Sequence, residues 1–210
     1  IAKFGKPMII STGMNDIESV QTTVDIVRKH QVPFALLHTT NLYPTPSHLV
    51  RLGAMTQMAE AFPDAVIGLS DHTTSNLACF ASVALGASIL ERHFTDRMDR
   101  PGPDIVNSMD PIKLKELIIG SEEIRKMLGG TKVATEEEQV TIDFAFATVV
   151  SITDIKAGDE FTEKNIWVKR PGTGKIAAKH YYEILGKRSL SNIPADVHLE
   201  PEHIDEVTIF

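Results

Sequence analysis

Residues 1–128 repeat one arrangement four times: a short apolar run that ends in polar residues, then a stretch with helical periodicity. Strands that alternate with helices in this way build parallel sheets, because a parallel neighbour needs a crossover long enough to hold a helix. The pattern predicts strands at Met8–Ser11, Phe34–His38, Ala65–Ser70 and Ser88–His93, apolar enough to be covered on both faces. In the first helix, Asn15 is expected as N-cap with Glu18 closing a capping box, and Ile17, Val20, Val24 and Val27 share the inner face. Ser47 is expected to start the second, with Leu49, Leu52, Met55, Ala59 and Phe62 inward. The third, Thr74–Leu85, is apolar on most sides and reads as well buried. Asp110-Pro111 sets an N-cap before a proline at the first helical position, and that last helix runs to Leu128, where Gly129-Gly130 stops it. Four consecutive βα units imply an α/β fold: half of a (β/α)8 TIM barrel, or an open Rossmann-like sheet. No G-x-G-x-x-G follows any strand, which counts against a dinucleotide site.

The pattern then changes. Residues 129–143, with the acidic run Glu136-Glu137-Glu138, read as a solvated linker. Residues 144–210 hold strand candidates at Phe144–Val150 and Asn165–Lys169, turn-rich stretches and no long helix, so a small, mostly β module is expected. Composition sets outer bounds. With 42% hydrophobic and 23% charged residues, the chain is neither disordered nor a disulfide miniprotein. Its single cysteine, Cys79, cannot pair internally, which fits a reducing, cytoplasmic setting. A net charge of -7 argues against a nucleic acid partner. No apolar run is long enough for a transmembrane helix. Ile1 is not an initiator Met and opens no signal peptide, so it is expected to mark a cut in a longer chain.

Polar residues gather at the C-terminal ends of the strands, where both α/β architectures place ligands. Strand alternation puts Ser70 with His72, and Glu91 with His93, on one face. Two neutral imidazoles from adjacent strands suit a divalent ion that keeps open positions for water and substrate, and Asp71 or Glu91 are candidates to orient them. Two unrelated core histidines would give the same spacing. Ser11-Thr12-Gly13 ends a strand before a capped helix, a turn suited to a phosphate or carboxylate, or one shaped by Ser and Gly alone. Asn41 and Tyr43 can bond a polyol, or serve a loop made rigid by Pro44 and Pro46. The connection Thr95–Met109 is long for a βα loop and carries Asp96, Arg97, Asp99, Arg100 and Asp104. It is expected to bind substrate, the alternative being a surface loop held by its own ion pairs. Arg170 stands beside the tight turn Pro171-Gly-Thr-Gly and offers a planar fork to oxygens.

Taken together, Ser11-Thr-Gly-Met-Asn, His38-Thr-Thr-Asn-Leu-Tyr-Pro-Thr-Pro, Gly68-Leu-Ser-Asp-His-Thr, Glu91-Arg-His-Phe-Thr-Asp-Arg and Arg100-Pro-Gly-Pro-Asp resemble bacterial sialic acid (N-acetylneuraminate) synthases. The tail, with Asp154-Ile-Lys-Ala-Gly-Asp and Trp167-Val-Lys-Arg-Pro-Gly, resembles their antifreeze-like (SAF) domain. The resemblance implies the C-terminal half of the barrel over residues 1–128 and an SAF domain over residues 144–210. It implies condensation of phosphoenolpyruvate with N-acetylmannosamine or a related amino sugar, giving a nonulosonic acid and phosphate. Mn²⁺ or Mg²⁺ would be held by His72 and His93. Ser11, Ser70 and Asn41 would hold phosphoenolpyruvate. Tyr43 and Asp104 would contact the sugar, as would Arg170 across a domain-swapped homodimer. A metal-bound water, or Glu91 acting as base, is the candidate to deliver the water that enters. The family's first four βα units, with their catalytic Glu and phosphate-binding Lys residues, have no counterpart here, and Lys6 lies at the wrong end of its strand to replace them. The isolated chain is therefore expected to be inactive. Legionaminic and pseudaminic acid synthases share these motifs, and a non-catalytic carbohydrate-binding protein or a metal-dependent aldolase built by oligomerisation are the other readings.

Overall fold

A computed structural model describes residues 1–205 as two compact units, Ile1–Gly130 and Thr131 onward. In the first, β1 (Met8–Ser11), β2 (Phe34–Thr39), β3 (Val66–Asp71) and β4 (Ile89–Arg92) form a parallel sheet in chain order. The register sets Met8 beside Phe34, Leu36 beside Ile67, and Ser70 beside Glu91. Between the strands run α1 (Ile17–Lys29), α2 (Gly53–Ala61) and α3 (Leu77–Ala84), and α4 (Pro111–Met127) follows β4.

Side-chain parity explains the architecture. Met8, Ile10, Phe34, Leu36 and Ile67 share one face and pack with Val20, Val24 and Val27 of α1 and with Met58 and Phe62. Leu69 and Leu90 continue that face against Met55, Cys79 and Leu117. The helices thus cover one face, and strand order never reverses. A doubly wound sheet would need helices on both faces and a reversal, so the curled sheet is a half-barrel. Its concave face carries Ser11, Ser70 and Glu91. Gly68 is required there, because a Cβ would lie 2.4 Å from the Ile89 carbonyl oxygen.

Some expectations need correction. Asp16, not Asn15, caps α1: its carboxylate accepts from Ser19 N–H at 2.9 Å, while the Asn15 amide donates to the Gly13 carbonyl at 2.7 Å and is used up in the turn. Ser47 opens a single 3₁₀ turn, and α2 starts at Gly53. Met58 takes the inward place expected of Ala59, which is exposed. The third helix is shorter than expected and not buried all round, since Leu77 and Leu85 face solvent. Asp110 and Pro111 behave as read, the carboxylate accepting from Lys113 N–H at 2.8 Å.

In the second unit the supposed linker holds a short helix, α5 (Gln139–Ala145), entered through a turn in which Thr135 N–H donates to the Glu138 carboxylate. That helix delays the strand expected at Phe144, so β5 spans Thr148–Ser151. It pairs antiparallel with β6 (Ile166–Lys169), and α6 (Tyr181–Ile184) completes the unit. Its core joins Val149, Ile155, Phe161, Ile166, Ile193, Leu199 and Ile204.

An internal near-twofold relation organises that core. Residues 151–166 and 189–204 adopt the same course and bond to each other reciprocally. Ile155 and Ile193 exchange both backbone hydrogen bonds at 2.8 Å. Ala157 N–H donates to the Asn192 side chain at 3.0 Å, and Ala195 N–H to the Asp154 side chain at 2.9 Å. Gly158 N–H meets Ser189 O, and Asp196 N–H meets Ser151 O. Gly158 and Asp196 also share a positive φ, 89° and 62°. Among the described residues, no helix is long and apolar enough to cross a membrane.

Candidate functional site

The concave face of the half-barrel converges on two imidazoles. His72 and His93 follow the ends of β3 and β4, and their ring centroids lie 5.2 Å apart, edge to face. Tyr43, from the loop after β2, lies 4.1 Å from the His72 ring and 5.7 Å from the His93 ring. One of the two, His72, is oriented by a hydrogen-bonded oxygen. His72 Nδ1 stands 3.0 Å from the Thr40 carbonyl oxygen. A carbonyl only accepts, so Nδ1 carries a proton, and the tautomer this selects for a neutral ring is the one with its lone pair on Nε2. His93 Nδ1 faces the Asp104 carboxylate at 3.8 Å. The pair fits a divalent ion: the Thr40 oxygen behind Nδ1 leaves Nε2 as the nitrogen of His72 available to a metal. Among the described residues, no group of three or more His, Cys, Asp or Glu is arranged to hold an ion. The two imidazoles would therefore leave most of the coordination shell to water and substrate.

Beside the histidines, buried Ser70 donates to Glu91 Oε1 at 2.7 Å. The two are direct register partners on adjacent strands, so the bond follows from the sheet itself. Ser11 lies exposed at the end of β1. Asn41 is half-buried, and its Oδ1 has no hydrogen-bond partner in the protein. A Cβ at Gly13 would lie 2.1 Å from that oxygen, so the missing side chain is what admits Asn41. Ser11, Asn41, Tyr43, Ser70, His72, Glu91, His93 and Asp104 thus all belong to the strand ends and loops of the first unit. Arg170 is exposed and belongs to the second, next to Pro171.

Asp71 is the clear departure from expectation. It points to the helix-covered face, where it pairs with Arg92, Nε to Oδ2 3.2 Å, both side chains almost wholly buried. It also accepts from the Thr73 backbone and hydroxyl at 2.9 Å, while Arg92 donates to the Asn76 side chain and the Thr73 carbonyl at 2.6 Å. Parity places Asp71 opposite Ser70 and His72, so it cannot orient the site. Burial beside this carboxylate pushes the Cys79 thiol up to about 12. The long loop Thr95–Met109 divides in function. Arg97 pairs with Asp99 at 2.9 Å and Arg100 with Asp96 at 2.6 Å on the surface, so those charges serve the loop itself. Asp104 alone of the five charges named in that loop faces a site histidine. Backbone bonds from Thr95 to Met109 and from Met109 to His93, both 2.9 Å, close the loop at its base.

His38 was outside the expected set. It lies on the helix side of β2, and its Nε2 donates to the Val50 carbonyl at 2.6 Å, closing the loop that carries Asn41 and Tyr43. Burial, aided by nearby Arg51, lowers its pKa and favours the neutral ring. Thr40 Oγ1 donates to Leu49 O at 2.8 Å and closes the same loop. A signal for this was present: His and Thr bracketing a loop rigid with prolines.

Residues 1–133 match the NeuB family model and residues 146–205 the SAF domain. The chain belongs to the NeuB family. The chain is 38% identical to the N,N'-diacetyllegionaminic acid synthase of Campylobacter jejuni over 200 residues, covering 93% of this chain and 59% of that protein. The spore coat polysaccharide biosynthesis protein SpsE of Bacillus subtilis superposes with a TM-score of 0.57 at 31% identity, over 97% of this chain and 62% of that one. The N-acetylneuraminic acid synthetase of Leptospira borgpetersenii gives 0.62 at 33% identity, over 67% of this chain and 50% of that one. The chain spans 57–59% of the length of the first curated relatives it matches. In NeuB-family terms the first unit is a half-barrel and the second an SAF domain.

Proposed function

We propose that the protein carrying this chain condenses phosphoenolpyruvate with an open-chain N-acetylated amino sugar, giving a nonulosonic acid and phosphate. The observation that carries the reading is the pairing of His72 with His93 under Tyr43, beside Ser70–Glu91, at the strand ends of a NeuB-family half-barrel. Both N-acetylmannosamine and a diacetamido sugar satisfy it, since relatives are named for legionaminic and neuraminic products alike.

In this reading Ser11, Ser70 and Asn41 offer two hydroxyls and an amide to the phosphate and carboxylate of phosphoenolpyruvate, holding its methylene carbon toward the sugar. His72 and His93 would hold a divalent ion, Mn²⁺ or Mg²⁺, which when bound would supply Lewis acidity toward the sugar carbonyl oxygen. Tyr43 and Asp104 bond sugar hydroxyls from the loop side. The methylene carbon bonds to the sugar's C1, and the carbonyl oxygen takes up a proton. Water then adds at the former enol carbon, giving up its proton to Glu91, and loss of phosphate leaves the keto group. In the free protein Ser70 donates to Glu91 Oε1 at 2.7 Å, which fixes the direction of that carboxylate within the site.

The test is turnover by the full protein, followed by phosphate release with each sugar. His72→Ala and His93→Ala are each expected to lower kcat/KM at least 10²-fold, about the scale of a lost electrostatic catalyst. A chelator should abolish activity, and Mn²⁺ should restore it. Full activity in both variants and under chelation would overturn the metal assignment. Absence of turnover with every N-acetylated sugar would overturn the reaction.

A further inference from the structure

Thr45 stands at the centre of the contacts that orient His72, yet it faces no substrate position assigned above. It is buried, and it holds His72 from two sides. Its backbone N–H donates to the His72 carbonyl at 2.9 Å. Its hydroxyl proton lies between two carbonyls, Leu42 O at 2.8 Å and Thr40 O at 3.1 Å. Thr40 O is the oxygen that faces His72 Nδ1 at 3.0 Å, and it also accepts from Leu42 N–H at 2.9 Å. One carbonyl therefore gathers an imidazole, a hydroxyl and an amide. The segment that makes this knot, residues 40–45, is also the one that lays Tyr43 against His72 at 4.1 Å.

We infer that Thr45 is a positioning residue: its hydroxyl fixes the Thr40 carbonyl, which holds His72 as the Nδ1–H tautomer with Nε2 directed to metal, so that the Asn41–Tyr43 loop and the metal ligand move as one piece. This rests on the proposal that His72 binds a divalent ion. The physical reason is local. A carbonyl with three donors is fixed in direction, whereas one that loses the hydroxyl can rotate with its peptide and release the imidazole. Neutral histidine left without that partner takes either tautomer, and the Nε2–H form has no lone pair on the nitrogen that faces metal.

Two readouts test the inference in the full protein, compared across wild type, Thr45→Val and Thr45→Ser, with Thr45→Ala used in place of valine where valine prevents folding. The first needs no metal. In ¹⁵N-histidine-labelled, metal-free protein at about pH 8, where an ordinary imidazole is neutral, His72 should show the Nδ1–H tautomer in wild type and Thr45→Ser. Thr45→Val should show a mixture. The second is Mn²⁺ affinity by electron paramagnetic resonance: the valine variant should weaken binding about 10-fold or more, the usual effect of removing a partner behind a metal ligand. The serine variant should stay near wild type. A pure Nδ1–H tautomer with unchanged Mn²⁺ affinity in the valine variant would overturn the role of Thr45. If wild type and His72→Ala bind Mn²⁺ equally, the metal proposal fails instead, and the tautomer comparison still decides whether Thr45 positions the ring.

Discussion

A single missing methyl group shapes the strand ends at which the candidate site lies. Gly13 leaves room for Asn41, whose Oδ1 would stand 2.1 Å from any Cβ placed there. Gly13→Ala is therefore expected to push Asn41 aside while leaving the helix that follows intact. The expected signature is a fall in kcat/KM for phosphoenolpyruvate of about 10²-fold, the scale of a displacement near 1 Å in a positioned group, with an unchanged circular dichroism spectrum. Steady-state kinetics on the full protein would check it. Sequence alone shows Gly13 as a turn former. It cannot show the close approach, because Asn41 comes from the next βα unit and the contact depends on how tightly two loops pack. The same holds for Thr45, which reads as a residue between prolines until its three hydrogen-bonded neighbours are seen. By contrast, the shared face of Ser70 with His72, and of Glu91 with His93, is legible from alternation along each strand, as is the convergence of the two histidines, whereas the bond from Ser70 to Glu91 needs the register of β3 on β4. Parity is a property of the backbone and needs no knowledge of side-chain contacts.

At the level of elements, the strand that feeds the site with Glu91 holds its helix with Arg92. Arg92 and Asp71 lie on adjacent strands, buried together, and Arg92 reaches Asn76 immediately before α3. Removing the cation alone leaves a buried carboxylate uncompensated. Arg92→Ala should destabilise the unit by about 3–5 kcal/mol, whereas replacing both partners with apolar residues should recover much of that loss. Urea unfolding of the single and double variants measures the difference. In the sequence Asp71 is a candidate for the site because it sits between Ser70 and His72, and Arg92 is not. Parity sends both to the opposite face, and their partners Thr73 and Asn76, in the turn that leads into α3, are found only once that turn is docked. Helix ends show a related limit. Asp110 was recognised because Pro111 fixes the frame, while Asn15 and Asp16 compete for one role and the turn at Gly13 decides between them.

For the molecule as a whole, two units are built by different rules. The half-barrel repeats βα units whose apolar periodicity is strong, so its order was readable from the chain. The SAF unit repeats a course without regular elements. Residues 151–166 and 189–204 share Ser151 with Ser189, Ile155 with Ile193, Ala157 with Ala195 and Ile166 with Ile204, too few matches to stand out until the reciprocal hydrogen bonds are seen. That relation makes a paired prediction. Asp154→Ala and Asn192→Ala each remove one side-chain acceptor from an equivalent backbone N–H, and each should cost about 1 kcal/mol. Equal losses in thermal unfolding would support the near-twofold design, and a loss confined to one variant would argue against it.

The buried thiol of Cys79 has a use beyond packing. It is fully enclosed, its pKa is held near 12, and the chain has no other cysteine. A thiol-reactive dye must wait until the docked face of α3 separates from the sheet, and nothing in the SAF unit can react in its place. The native chain thus carries a built-in clock for the opening of its half-barrel, one that runs at the rate at which the surface behind the site comes apart.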